Sequence, residues 1–388
     1  MKAQRSLVEG IVSILVLVLV FGFMGSVMGA ENLINTIMRT AYDLLINTVL
    51  YLVAVTVIVG AFSSFLVEFG AVRIVERLLS PLMKPLFRLP GVASLGALLC
   101  FLSDNPAILS LAKDKGYRSY FKKYQLYSLT NFGTAFGMGL IVITYMIGQG
   151  HLNPSGGNFY APALIGLGGA VFGSIVSTRL MQLSLRKTFG EEEAVPAAEQ
   201  EGFDEARVMA RKEEGLFIRF LNAVLDGGKS GLEAGVAIVP GVLVISTAVM
   251  MLTWGPKDAA LGYQGLAYEG VPVFPAIGRA LGFLFNLLFG FTSPEAIAFP
   301  ITSLGAVGAA LGLVPRLLKE GLVGPNDIAV FTAIGMCWSG FLSTHTGMMD
   351  ALGRRDLIGK AIGAHAVGGL AAGVFAHYLF LAFRALGA

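Results

Sequence analysis

Apolar positions in this chain gather in long runs rather than alternating with polar ones. Seven of them, at 8–29, 44–67, 126–148, 161–180, 232–254, 328–344 and 361–384, are about as long as a helix needs to cross a hydrocarbon core. Two further runs have polar breaks at their centres. The first, 89–112, carries Ser103-Asp104-Asn105-Pro106 midway and is flanked by basic residues at both ends: Arg73, Arg77, Lys84 and Arg88 before it, Lys113, Lys115, Arg118, Lys122 and Lys123 after it. Basic flanks mark the cytoplasmic side, so this run enters and leaves on one side as a re-entrant hairpin. The second, 289–314, contains Thr292-Ser293-Pro294-Glu295 and Pro300-Ile301-Thr302-Ser303, and reads as a hairpin entered from outside. Its tip is placed at Glu295.

The two halves then match. Each is a span, a hairpin, a span and a span, with the second half in the opposite orientation. The expected fold is an all-α polytopic membrane bundle of two inverted-topology repeats. Residues 1–43 form an N-terminal helix and an interfacial amphipathic segment, 44–187 repeat 1, 188–231 a charged cytoplasmic linker, and 232–388 repeat 2; 271–288 is an interfacial helix. Only Arg39, Lys257, Arg279, Arg316, Lys319 and Arg384, of 28 Lys and Arg, fall outside under this topology. The N-terminus is thus cytoplasmic, in a prokaryotic inner membrane. The first run ends at Val27-Met28-Gly29-Ala30, which faintly resembles a signal-peptidase site, but its length favours a retained helix.

Composition agrees: 55% hydrophobic, 14% charged, mean hydropathy +0.72. The fifty glycines include small-xxx-small pairs (Gly133/Gly137, Gly169/Gly173, Gly308/Gly312, Gly369/Gly373) that let helix backbones approach. Cys100 and Cys337 lie in apolar sequence and read as small packing residues. A net charge of +3 gives no basis for nucleic-acid binding.

Opposed broken helices place a binding site near the bilayer midplane. The residues available there are Ser103, Asp104 and Asn105 at the first hairpin, Thr130, Asn131 and Thr134 in the following span, Thr292, Ser293 and Glu295 in the second hairpin, and Ser339, Ser343 and His345 in its following span. Neutral oxygens of this kind suit a sodium ion, expected at Thr130 and Asn131, or a polar solute; ionisable residues at this depth point to function. Structural readings stand beside these. Asp104 and Glu295 can cap helices, Asn131 and Thr130 can bond between helices, and Ser339 or Ser343 can bond back to a carbonyl one turn earlier. His151, His345, His365 and His377 show no ligand spacing for a metal. The segment from Ala223 to Gly228-Lys229-Ser230 fits a relaxed phosphate-loop pattern, but a membrane span follows it and no nucleotide-binding domain surrounds it.

Pro85-Leu86-Phe87-Arg88-Leu89-Pro90-Gly91, the Ser103-Asp104-Asn105-Pro106 hairpin and 128–139 resemble the nucleoside-recognition Gate-domain membrane proteins, relatives of the concentrative nucleoside transporters, with a weaker echo at 290–312 and 335–344. The resemblance implies two opposed hairpins, cation-coupled uptake, elevator-like movement against a scaffold and a homo-oligomer. This chain departs from the transporters at both tips, where they use glutamine and glutamate. Two function classes follow. One is a secondary transporter of a nucleoside-like or other small polar solute, coupled to Na+ or H+, with no cofactor. The other is a non-transporting scaffold or partner-dependent subunit. No nucleophile–base pair or metal cluster suggests an enzyme.

Overall fold

The computed structural model describes residues 2–193 and 215–387; the linker charges between 194 and 214 lie outside the described residues. Every regular element among them is helical. In the first half these are α1 (Lys2–Met28), α2 (Ala30–Leu44), α3 (Leu50–Glu68), α4 (Ala71–Leu82), α5 (Ala93–Leu102), α6 (Pro106–Lys113), α7 (Lys115–Arg118), α8 (Lys123–Thr134), α9 (Gly139–Gly148) and α10 (Tyr160–Phe189). The second half comprises α11 (Leu216–Gly241), α12 (Thr247–Met251), α13 (Val273–Ala280), α14 (Gly282–Phe289), α15 (Ala298–Gly305), α16 (Val307–Leu311), α17 (Val314–Lys319), α18 (Pro325–Cys337), α19 (Phe341–Ala351) and α20 (Ile358–Ala385). Seven helices of the described residues are long and apolar enough to cross a bilayer. The chain is a multi-pass membrane protein.

The repeat is visible in the order of elements. A long helix (α3 or α11), a short surface helix (α4 or α13), a hairpin, a span broken in the middle (α8/α9 or α18/α19) and an unbroken span (α10 or α20) occur twice. Each break has a local cause. Asn105-Pro106 starts α6 because proline has no N–H to lose at a first helical position. Met138 takes a left-handed backbone (φ 55°) between α8 and α9, and Gly340 does so (φ 69°) between α18 and α19.

Four expectations are corrected. Residues 31–43 are not a separate interfacial piece: Ala30–Glu68 runs as one 39-residue helical path through a wider π-turn at Leu45–Val49. The 271–288 helix is divided at Leu281 into α13 and α14. The linker is shorter than 188–231, since α10 continues to Phe189 and α11 starts at Leu216. The second hairpin turns at Ala306, whose extended backbone (φ −162°) separates α15 from α16, and the 73° bend beside the expected tip, between Phe289 and Pro294, divides α14 from the first arm of the hairpin. Pro294 opens a 3-10 turn there, which a proline at a first position favours, so it begins an arm and does not divide two. The phosphate-loop-like segment lies wholly inside α11, which excludes the loop such a motif requires.

Two bodies organise the core. α3 and α11 pack at backbone distance: a Cβ on Gly231 would stand 2.2 Å from the Thr56 carbonyl oxygen, and one on Gly60 2.4 Å from that of Gly227. The other body is built on α8, α10, α18 and α20. Gly173 meets the Gly368 carbonyl, Phe172 stacks on Phe375 at 4.4 Å, and Ser174 bonds the Phe132 carbonyl. The small-xxx-small pairs read from the sequence are therefore contacts between helices. Cys100 and Cys337 are free and buried.

Candidate functional site

Four irregular points of backbone meet inside the second body. The tip of the first hairpin supplies Asn105, which is buried; the break after α8 supplies Gly137; the break after α18 supplies Ser339 and Gly340. The bend of the second hairpin closes the group, with the Gly305 carbonyl oxygen 3.4 Å from where a Cβ of Gly340 would be. Non-helical backbone at membrane depth persists only where protein or water receives its polar groups. Here the Asn105 carboxamide does so. Its Nδ2 donates to the Ser339 carbonyl at 2.9 Å, to Ser339 Oγ at 3.3 Å and to Thr344 Oγ1 at 3.4 Å. Its Oδ1 is buried and accepts no hydrogen bond. Gly137 leaves room for that oxygen, since a Cβ there would fall 2.0 Å from it.

Beside this junction lies a cavity of about 590 Å³. Leu99, Leu102, Ser103 and Asp104 of the first hairpin form one wall, Thr56, Ser63, Ser64 and Glu68 of α3 a second, and Asp226 and Ser230 of α11 a third. Asp104 does not cap α6 with its side chain; its Oδ1 accepts the N–H of Asn105 at 2.7 Å. Glu68 is held by Arg219, which donates to Oε1 at 2.8 Å and to the Glu68 carbonyl at 3.1 Å.

The remaining residues named from sequence are placed elsewhere. Thr130 and Asn131 are fully buried in the helical part of α8, about 9 Å along the axis from Gly137. Asn131 Nδ2 donates to Ser177 Oγ at 3.0 Å and to the Ala361 carbonyl at 2.9 Å, while its Oδ1 accepts from Thr130 Oγ1 at 3.2 Å. Ser177 lies 2.8 Å from His365 Nδ1, and His365 Nε2 donates to the Cys337 carbonyl at 2.5 Å. Because that carbonyl can only accept, Nδ1 is the acceptor and Ser177 donates to it. This chain of bonds ties α8, α10, α20 and the end of α18 together. Thr134 is one turn further on, its buried hydroxyl without a partner. Ser343 is exposed and bonds back to the Gly340 carbonyl at 3.0 Å. His345 donates Nδ1–H to the Phe341 carbonyl at 3.0 Å, and its ring lies 4.5 Å from that of His365. Packing of α19 on α20 makes that pairing, which spacing along the chain could not show.

Thr292 and Ser293 line a separate 450 Å³ groove with Gly278, Arg279 and Asn286 of α13 and α14. Glu295, next to them, is roughly 15 Å of helix from the bend at Ala306. The structure does not bring these three to the junction. The α3 and α11 walls, in turn, were missed from sequence. Their signal was present: Thr56, Gly60, Ser63/Ser64 and Val67 recur at one-turn spacing in an apolar span, as do Gly227, Ser230/Gly231 and Ala234.

Residues 45–150 match the family model of the Gate domain, described as nucleoside recognition. No curated protein matches the chain. Among solved structures, CNTnw in an inward-facing substrate-bound state is similar at a TM-score of 0.51 and 14% identity, over 97% of this chain and 85% of that one. A variant of CNTnw in an intermediate 2 state gives 0.49 and 16%, over 84% and 74%, and a doubly substituted variant in an outward-facing state 0.48 and 14%, over 97% and 86%. Residues 45–150 are thus similar to the Gate domain, and the chain shares the fold of CNTnw.

Proposed function

We propose that the chain is a secondary transporter of a nucleoside-like or other small polar solute. The observation that carries this reading is the 590 Å³ cavity between the first hairpin and the α3–α11 pair, into whose walls Thr56, Ser64, Ser103, Asp104 and Ser230 bring polar side chains. A scaffold protein has no need of a space with polar groups between its hairpin and the α3–α11 pair. The body of hairpins, α8, α10, α18 and α20 moves as an elevator against α3 and α11, exposing the cavity to each side in turn. Ser103, Asp104 and Asn105 contact the solute or its coupling ion, Na+ or H+. Oxygens of Asn105 and Thr134 that lack partners are the ligands offered to a sodium ion. Ser339 positions Asn105. Thr130 and Asn131 hold the body rigid around the breaks.

The basic flanks of the first hairpin orient it toward the cytoplasm of a prokaryotic cell, so the cavity is inward-open. Copies associate through α1 and the outer apolar face of α11, where Leu216, Phe217 and Leu225 are exposed.

Binding tests the reading. Ligands that bind only the native state raise its apparent stability, so purified protein is unfolded thermally with nucleosides, nucleobases and small polar metabolites, in sodium and in potassium buffer. A sodium-dependent rise with one solute class supports the transporter. No rise with any solute or ion favours the scaffold.

A further inference from the structure

Three arginines line one small pocket, on the end of the second body that the basic flanks assign to the cytoplasm. Arg88, Arg179, Gln182, Leu183 and Arg186 enclose about 230 Å³ there, and no acidic side chain is among them. Arg179 and Arg186 stand two turns apart on one face of α10, and Arg88 follows the π-turn at Met83–Phe87 that leads into the first hairpin. Their charges are only partly answered. Arg179 donates Nε to the Leu86 carbonyl at 2.8 Å and Nη2 to the Pro85 carbonyl at 2.7 Å, which aims its guanidinium without neutralising it. Arg186 pairs at 2.8 Å with Glu191, whose side chain is 62% exposed. Arg88 is exposed. Its backbone carbonyl accepts from Gln125 Nε2, but among the described residues its guanidinium pairs with no carboxylate; the neighbouring Glu192 and Glu193 go to Lys122 and Lys123.

A second feature of α10 leads to the same place. Phe172, Val176 and Leu183 share the helix face of Arg179 and Arg186, and Phe172 and Leu183 are 38% and 55% exposed although apolar. Along the span this face is hydrocarbon, and at its end it is a cluster of guanidiniums. An anion held there lies at the edge of the bilayer, where phospholipid headgroups are the concentrated anions. A soluble anion would answer the charge and leave the apolar face bare; a zwitterionic headgroup would bring its own cation to the arginines. We infer that the pocket binds the phosphate of an anionic phospholipid of the cytoplasmic leaflet, with an acyl chain laid over Leu183, Val176 and Phe172. The planar guanidinium fork suits phosphate oxygens, and basic pockets at the cytoplasmic ends of spans hold headgroups of this kind. A phosphate shared by Arg88, Arg179 and Arg186 ties α10 to the chain entering the first hairpin, the joint that Arg179 already makes with Pro85 and Leu86.

The test unfolds the purified full-length protein thermally in dodecyl maltoside with added dioleoyl phosphatidylglycerol, dioleoyl phosphatidylcholine or inorganic phosphate. The expected result is a saturable rise in melting temperature with phosphatidylglycerol that neither phosphatidylcholine nor phosphate gives at the same concentration. Arg88→Gln, which breaks no ion pair, should raise the phosphatidylglycerol concentration needed for half that rise about fivefold, the effect of one arginine at an anionic surface. Arg73→Gln removes an equal charge from the same side of the molecule, outside the pocket, and should leave that concentration unchanged. Each variant is read against its own lipid-free melting temperature, so a purely structural loss does not move the result. Equal rises with the two lipids overturn the inference. An equal rise with phosphate assigns the pocket to a free anion and overturns it too. A phosphatidylglycerol preference that Arg88→Gln leaves unchanged, or that Arg73→Gln weakens equally, belongs to diffuse surface charge and overturns it as well. None of these outcomes bears on the solute cavity, so the transporter reading stands or falls separately.

Discussion

Asn105 at the tip of the first hairpin donates its carboxamide N–H to the backbone carbonyl of Ser339, 2.9 Å away and 234 residues later in the chain. One side chain thereby joins the irregular points of the two repeats. Leucine at 105 matches the volume but can neither donate to Ser339 nor offer Oδ1. Asn105→Leu is expected to keep the fold and lose solute or sodium response by about tenfold or more. Thermal titration of both proteins measures this; an unchanged response removes Asn105 from the site.

Asn131 bonds through both ends of its carboxamide, donating to Ser177 and Ala361 and accepting from Thr130. Asn131→Ala removes these bonds, while Ser177 keeps His365 and Thr130 keeps the Tyr127 carbonyl as partners. Interhelical bonds in membranes average about 0.6 kcal/mol each, so the loss should total about 1–2 kcal/mol. The expected readout is a melting temperature lower by several degrees with solute affinity little altered. Unchanged stability with lost sodium response would make Asn131 an ion ligand instead.

The α3–α11 contact rests on glycine. Gly231→Leu drives a side chain into the Thr56 carbonyl and forces the two helices apart, at a cost of about 1–3 kcal/mol or more. The cavity shares this seam, so solute binding should fall together with stability. Gly228→Leu, where a Cβ meets only Val57 at 3.7 Å, is the control and should change little.

On the opposite end, Arg316 of α17 lies over the rings of Trp254 and Tyr268, 5.3 and 4.5 Å from their centroids, and pairs with Glu320. Trp254 Nε1 donates to Glu320, and Tyr268 donates its hydroxyl to Asp43. The second hairpin is thereby tied to the segment joining α12 to α13 and to α2. Arg316→Ala should cost about 0.5–2 kcal/mol and speed limited proteolysis within 252–272. Identical cleavage rates would show that the tie does not restrain that segment.

Much of this architecture was legible in the sequence because bilayer thickness imposes run lengths. The 89–112 hairpin was visible, since Asn-Pro between basic flanks is an unambiguous breaker. The second hairpin was found but its bend misplaced: Pro294 is a stronger signal than Ala306, yet proline starts helices as readily as it ends them. Asp104 and Asn105 were legible as the tip of the first hairpin for the same reason as that hairpin itself. Asn131 was conspicuous as an amide in a span, but only packing reveals that Ser177 and Ala361 occupy it. Ser63 and Ser64 escaped notice because a hydroxyl can bond its own helix, and nothing local tells a cavity wall from an ordinary span.

Solute flux in proteoliposomes most directly tests whether the cavity is a transport site. Vesicles holding the purified protein and preloaded with unlabelled solute, chosen by the thermal titration, are diluted into labelled solute and the label inside is followed with time. Transient accumulation above the outside concentration, abolished in Asn105→Leu, is the predicted result. Binding without any accumulation beyond that of protein-free vesicles would contradict the account.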